Sequence, residues 1–175
     1  MALTANAIPS QVTTFPCPYD ATLAFCSAQA LTATGYFNNL NSGQIDLGGA
    51  APVAAAGRTD FIWSMDITAI DVSSGDETYK LHLFGSNDVA FGNGNVDLLA
   101  IIDVAATAAL RNLATILGAT PTIPPTGLST MLIQRPFTNL VGRIYYRFLR
   151  CHMVAVGTGP SAVATSWISR AGIDV

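Results

Sequence analysis

The chain has 175 residues, of which 11% are charged and 50% hydrophobic, with a formal net charge of −3. An ordinary globular domain carries about 25% charged residues, so here hydroxyls and amides must wet the surface, or partners must cover much of it. The slight negative balance argues against non-specific nucleic-acid binding, which needs a broad positive field, and no window reaches the ~18 apolar residues of a membrane span.

The length predicts one domain, large enough to bury roughly 70% of its unfolded surface. Residues 1–11 show neither the basic region nor the apolar core of a secretory signal. Cys17, Cys26 and Cys151 lack C-x-x-C spacing, so reduced and mostly buried thiols are expected, in a protein made in a cytosol.

Pro9, Pro16 and Pro18 break regular structure over residues 1–20. Phe15 and Tyr19 give this stretch more apolar reach than a loose tail needs. It reads as an extended arm ordered by a partner, with residues 21–175 forming the folded domain. Residues 21–34 fit a short helix or a strand, and their Thr-Ala-Thr end favours a strand. Gly35 to Gly43 is an Asn-rich loop, Gln44–Leu47 a short strand, and residues 50–57 a small-residue linker.

Thr59–Ile70 alternates, with Phe61, Trp63, Met65 and Ile67 on one face and Ser64, Asp66 and Thr68 on the other. That pattern predicts a half-buried strand. After a turn at Gly75, Thr78–Gly85 returns with Tyr79, Leu81 and Leu83 inward, which completes a hairpin. Ser86–Asn95 has turn chemistry anchored by Phe91, and Val96–Val104 is a further apolar strand.

Ala106, Leu110, Leu113 and Leu117 then recur at helical spacing. With Asp103 as a cap and Gly118 as a stop, 104–117 reads as a short helix, a strand in its second half being the alternative. Thr120–Thr126 is an extended crossing segment. Leu128–Gln134 is a strand that ends at Arg135-Pro136, and Phe137–Gly142 turns into the longest strand-like run, Arg143–Gly157. In that run Ile144, Tyr146 and Phe148 share one face, and Tyr145, Arg147, Leu149, Cys151 and Met153 the other.

Arg143, Arg147 and Arg150 form the densest positive cluster, with Arg143 and Arg147 on one face. Arginines beside aromatics suit a protein interface, the alternative being a solvated edge whose long stems cover apolar surface. Ser161–Arg170 is the last strand, with Val163, Thr165 and Trp167 on one face. Six to eight short strands and at most one helix predict an all-β sandwich.

Convergent chemistry is scarce. His82 and His152 could meet only if their strands adjoin, and two histidines fall short of a metal site. Cys151 and His152 are neighbours on a strand and so point to opposite faces. No G-x-S-x-G occurs, Asp66, Asp71 and Asp76 lie in or near a turn, and GNGN at 92–95 lacks the Lys and Ser/Thr of a phosphate loop. No catalytic, cofactor-binding or metal residue is assigned.

Five stretches follow one another in a suggestive order: FCSAQALTAT at 25–34, QIDLG at 44–48, PFTN at 136–139, IYYRFLR at 144–150 and VGTGPSAVATSWIS at 156–169. In order and spacing the chain resembles the capsid cement, or decoration, proteins of tailed bacteriophage heads. The resemblance spans most of residues 25–170 and omits the arm and the 104–127 segment. It implies a jelly-roll β-sandwich with no enzymatic activity and no cofactor. It further implies a homo-trimer or homo-dimer seated on the major capsid protein lattice, at the outer surface of the virion. Phe15, Tyr19, Arg143, Arg147 and Arg150 are the interface candidates. A glycan-binding β-sandwich adhesion module on a virion surface is the alternative. It would display Trp or Tyr on a concave face, whereas Trp63 and Trp167 both read as inward.

Overall fold

A computed structural model describes residues 19–48, 59–71, 73–92, 96–105 and 131–170. Phe15, the arm up to residue 18, residues 106–130 and residues 171–175 lie outside the described residues, as does most of the expected helix. Asp20 caps a 3-10 turn, Ala21–Leu23, by accepting the Thr22 N–H at 2.8 Å. A second 3-10 turn spans Asn41–Gly43.

The strands are β1 (Ala24–Leu31), β2 (Gly35–Tyr36), β3 (Gln44–Asp46), β4 (Asp60–Ile70), β5 (Thr78–Ser86), β6 (Val96–Ala105), β7 (Met131–Thr138), β8 (Leu140–Val141), β9 (Ile144–Tyr145), β10 (Phe148–Val156) and β11 (Ala162–Arg170). One sheet has the order β1-β11-β4-β7. The other has the order β2-β10-β5-β6, with β3 also on β10, and β8 and β9 form a small hairpin.

Every pairing is antiparallel. β1 meets β11, β2 and β3 meet β10, β4 meets β7, and β5 meets β6. The chain thus folds as one long hairpin and then rolls up, so that β11 also meets β4 and β10 also meets β5. That wrapping of Greek keys into two sheets is a jelly roll.

The inner faces interdigitate through Phe25, Trp63, Met65, Leu81, Leu83, Ile102, Leu149, Met153 and Ile168. Burying each such side chain contributes roughly 1.5–3 kcal/mol. Between the sheets, several polar atoms find partners. Trp63 Nε1 donates to Ser166 Oγ at 2.9 Å, the Ser166 hydroxyl donates to Cys151 Sγ at 3.8 Å, and Cys26 Sγ donates to the Ala164 carbonyl at 3.3 Å. Cys26 and Cys151 are free and buried. Burial pushes the Cys26 thiol up to about 12 and Cys151 well above its ordinary value.

At one end of the sandwich the β10–β11 turn closes on the β4–β5 turn. Thr158 donates its N–H and its hydroxyl to the Asp76 carboxylate, each at 3.0 Å. Gly157 has φ +122, and an added Cβ would lie 2.7 Å from Glu77 Cα, so only glycine fits between the turns. The Tyr79 hydroxyl donates to the Asp71 carbonyl and accepts the Ser161 N–H at 3.1 Å.

Four expectations change. Asp103 does not cap a helix: β6 runs through it to Ala105, because its register with β5 continues from Lys80–Asp103 to Thr78–Ala105. β7 does not end at Arg135-Pro136 but continues to Thr138, since an edge strand tolerates a residue without an N–H. β4 is more than half-buried in its first half, for Ile62 and Ser64 on its outer face are as inaccessible as its core residues, while Asp66 and Thr68 stay partly exposed. In β11 the inward set is Ala162, Ala164, Ser166 and Ile168, which places Trp167 on the outer face. The Tyr19 ring meets Trp167 edge-on there, at 5.7 Å between centroids.

Candidate protein-docking face

The run from Arg143 to Gly157 is not one strand. It breaks at Tyr146 and Arg147 between β9 and β10. Two asparagine side chains satisfy the backbone where the ladder lapses. Asn139 Nδ2 donates to the Tyr146 carbonyl at 3.2 Å, while Asn139 Oδ1 accepts the Thr59 N–H at 2.8 Å. Asn87 Nδ2 donates to the Tyr145 carbonyl at 2.8 Å, and Asn87 Oδ1 accepts the Arg147 N–H at 3.0 Å.

The break shifts the alternation. Tyr146 goes into the interior and its hydroxyl donates to Asp97 Oδ2; burial first, and then that contact, raises its pKa to about 12. Phe148 is half-buried on the outer face, so it does not share a face with Tyr146 as alternation predicts.

The break also disperses the arginines. Arg143 sits exposed in the β8–β9 turn, beside the exposed Val141 and Ile144. Arg147 is engaged within the chain: Nε and Nη2 each reach the Asp46 carboxylate at 2.7 Å, and its guanidinium lies 4.9 Å from the Phe148 ring. That fork holds the Asp46 carboxyl below its ordinary value. Arg143 and Arg147 therefore do not share a face.

Arg150 alone of the three stands on the outer face of the β2-β10-β5-β6 sheet. Its guanidinium lies 4.5 Å from the Phe91 ring and 5.8 Å from the Tyr36 ring. Among the described residues its one hydrogen bond is to the Val89 carbonyl, at 3.4 Å.

Register places this face in rows. Gln44, Arg150, Phe84 and Leu98 form one row; Tyr36, His152, His82 and Ile101 form the next; Val154, Lys80 and Asp103 form a third. His82 and His152 do adjoin, with rings nearly parallel and centroids 6.3 Å apart. Tyr36 meets His152 edge-on at 4.6 Å, and Phe84 meets His82 edge-on at 5.5 Å. Both imidazoles are held below their ordinary pKa, His82 by burial and then by Lys80, His152 by burial and then by His82. At neutral pH they act as flat, uncharged rings. Tyr36, Val89, Leu98, Ile101 and Val156 are large, apolar and exposed on or beside this face.

Among the described residues no three His, Cys, Asp or Glu side chains converge as a metal site requires. Cys151 lies in the core with its sulfur on Ser166, while its neighbour His152 lies on the outer face, so the two do not meet. What the face offers is apolar area, aromatic rings and one guanidinium.

Of the expected interface residues, Tyr19 packs on Trp167 on the opposite sheet, and only Arg150 belongs to this face. The aromatic frame was missed. A signal for its apolar flank, Leu98 and Ile101, was present in VDLLAIID at 96–103, where apolar residues occupy both parities. A strand with that pattern either lies covered on both sides or shows an apolar face to a partner.

No protein-family model, curated protein or solved structure matches the chain.

Proposed function

We propose that the protein is a non-enzymatic capsid cement protein. It would bind the outer surface of a bacteriophage head as a homo-dimer or homo-trimer and stabilise the expanded shell by bridging capsomers. The observation that carries the reading is the aromatic and apolar outer face of the β2-β10-β5-β6 sheet, set around Arg150 on a rigid sandwich. A contiguous apolar face rimmed by polar groups marks an interaction site. The low charge content and the resemblance of the residue pattern to cement proteins are what suggest a capsid as the partner.

The physical advantage is multivalency. A filled head fails where capsomers separate, and a clamp that touches two or three of them turns weak contacts into strong avidity. Because the clamp fits only one lattice spacing, it stabilises the expanded state by linkage. Purified protein added to expanded heads that lack it should co-sediment to saturation and raise the temperature at which DNA is released. Heads that take up no protein, or take it up without any gain in stability, overturn the reading. A glycan-binding role is less favoured because Trp63 and Trp167 are both buried, which leaves Tyr36 as the exposed Trp or Tyr ring on the open face among the described residues; a glycan array without hits would dismiss it.

A further inference from the structure

We infer that Arg150 is the anchor of the docking face, and that it receives a carboxylate from a protein surface on which an Asp or Glu side chain stands among apolar ones. The inference rests on the docking reading above for its choice of face, and adds which chemistry that face selects.

The argument is one of charge complementarity. A guanidinium carries five N–H donors in a planar fork, and among the described residues Arg150 uses one of them, in a long bond to Val89. Two nearby cations have acids beside or opposite them. Arg147 holds Asp46 through two contacts, and Lys80 stands directly opposite Asp103 in the ladder. Asp88, in the loop below Phe91, accepts the N–H groups of Ala90 and Gly92. The residues opposite Arg150 in the ladders are Gln44 and Phe84, neither of them acidic.

Phe91 and Tyr36 fix the guanidinium from its sides, which lowers the entropy lost when it binds. The surrounding Tyr36, Val89 and Leu98 are exposed and apolar, so a partner that docks flat on them excludes water from the arginine. An arginine buried without an acid is costly, whereas one paired bidentately with a carboxylate is among the stronger contacts an interface makes. The face therefore favours an acidic residue in an apolar setting and rejects a basic one.

The test uses the full chain with labelled arginine and tyrosine, followed by NMR during titration with the acetylated amide peptide Leu-Glu-Leu and its Leu-Gln-Leu counterpart. The glutamate peptide should shift the Arg150 Nε–H and the Tyr36 signals, and bind about fivefold or more tighter than the glutamine peptide. Arg150→Gln should abolish the difference and Arg143→Gln should leave it. Equal affinity for the two peptides, shifts centred elsewhere, or a preference that survives Arg150→Gln overturns the inference. The result does not depend on capsids. If heads bind the Arg150→Gln protein as well as the unaltered one, the inference fails while the cement reading stands. If heads bind neither while the peptide preference holds, the cement reading fails and the inference stands.

Discussion

The two sheets treat their outer faces differently. On the β1-β11-β4-β7 sheet, Ile62, Ser64, Trp167 and Ser169 are buried, and Tyr19 stacks edge-on against Trp167. On the β2-β10-β5-β6 sheet the outer face stays open, with Tyr36, Leu98 and Ile101 each at least 40% exposed. Both faces carry aromatics and few charges, so composition does not separate them. The difference is one of burial: the first face is largely covered within the chain, with Leu132 exposed on its edge strand, and the second stays open.

The sharpest way to break that contrast is truncation. Trp167→Ala should lower unfolding stability by about 3–5 kcal/mol, whereas Leu98→Ala and Ile101→Ala should each stay within about 1 kcal/mol. Urea titrations of the three variants measure this, and similar losses would erase the distinction.

A smaller effect is expected at the break that delivers Arg150 to the open face. Asn139 is buried and serves backbone groups of both Thr59 and Tyr146. Asn139→Ala leaves them unpaired and should cost about 1–3 kcal/mol, read from the same titrations.

The open face should also respond to pH. His82 and His152 have folded-state pKa values below the ordinary imidazole value, so the unfolded chain takes up protons first as pH falls. Stability is complete above about pH 6.5 and declines as pH drops from there through the folded-state values. Melting temperature should fall between pH 7.5 and pH 5, and less so in a His82→Gln, His152→Gln double variant. A flat profile in the unaltered protein would show that the imidazoles are better solvated than their surroundings imply.

The least effect on folding belongs to the arginines. Arg150→Gln should leave melting unchanged while removing the preference for acidic peptides. Asp46→Asn should lower melting slightly at pH 7, by loss of the Arg147 fork, and should flatten the acid-side loss of stability that sets in as pH falls toward 3.8, where the Asp46 carboxylate of the unfolded chain protonates. Melting curves at pH 3 and pH 7 separate the two.

Much of the sandwich was legible because period-2 patterning is local. β4 and β5 appear within a residue of their expected bounds, and Tyr79, Leu81 and Leu83 point inward as alternation requires. What was not legible depends on distant partners. The lapse at Tyr146–Arg147 is held by Asn87, 60 residues earlier for the Arg147 contact, and no local pattern reveals it. The orientation of Trp167 likewise could not be read locally: Ser166 looks polar and outward, yet it turns inward to meet Trp63 and Cys151. Arg147 looked like an interface residue because its acid, Asp46, lies 101 residues away. The open aromatic face depends on the register that sets Tyr36, His152, His82 and Ile101 side by side.

The jelly-roll wrapping also governs how the chain can be made. β11 lies between β1 and β4, so a chain emerging from a ribosome holds both with bare edges until its last strand arrives. Cys26 and Ala164, which meet across that seam, are 138 residues apart, and such non-local closure makes folding slow. Unpaired strand edges in a waiting chain invite pairing with other chains. A chain ending at Pro160 should therefore accumulate as aggregate. Supplying residues 161–175 as a separate peptide during refolding should restore solubility, with pelleting assays as the readout; a soluble, unaided truncation would show that β1 and β4 protect each other without the strand between them.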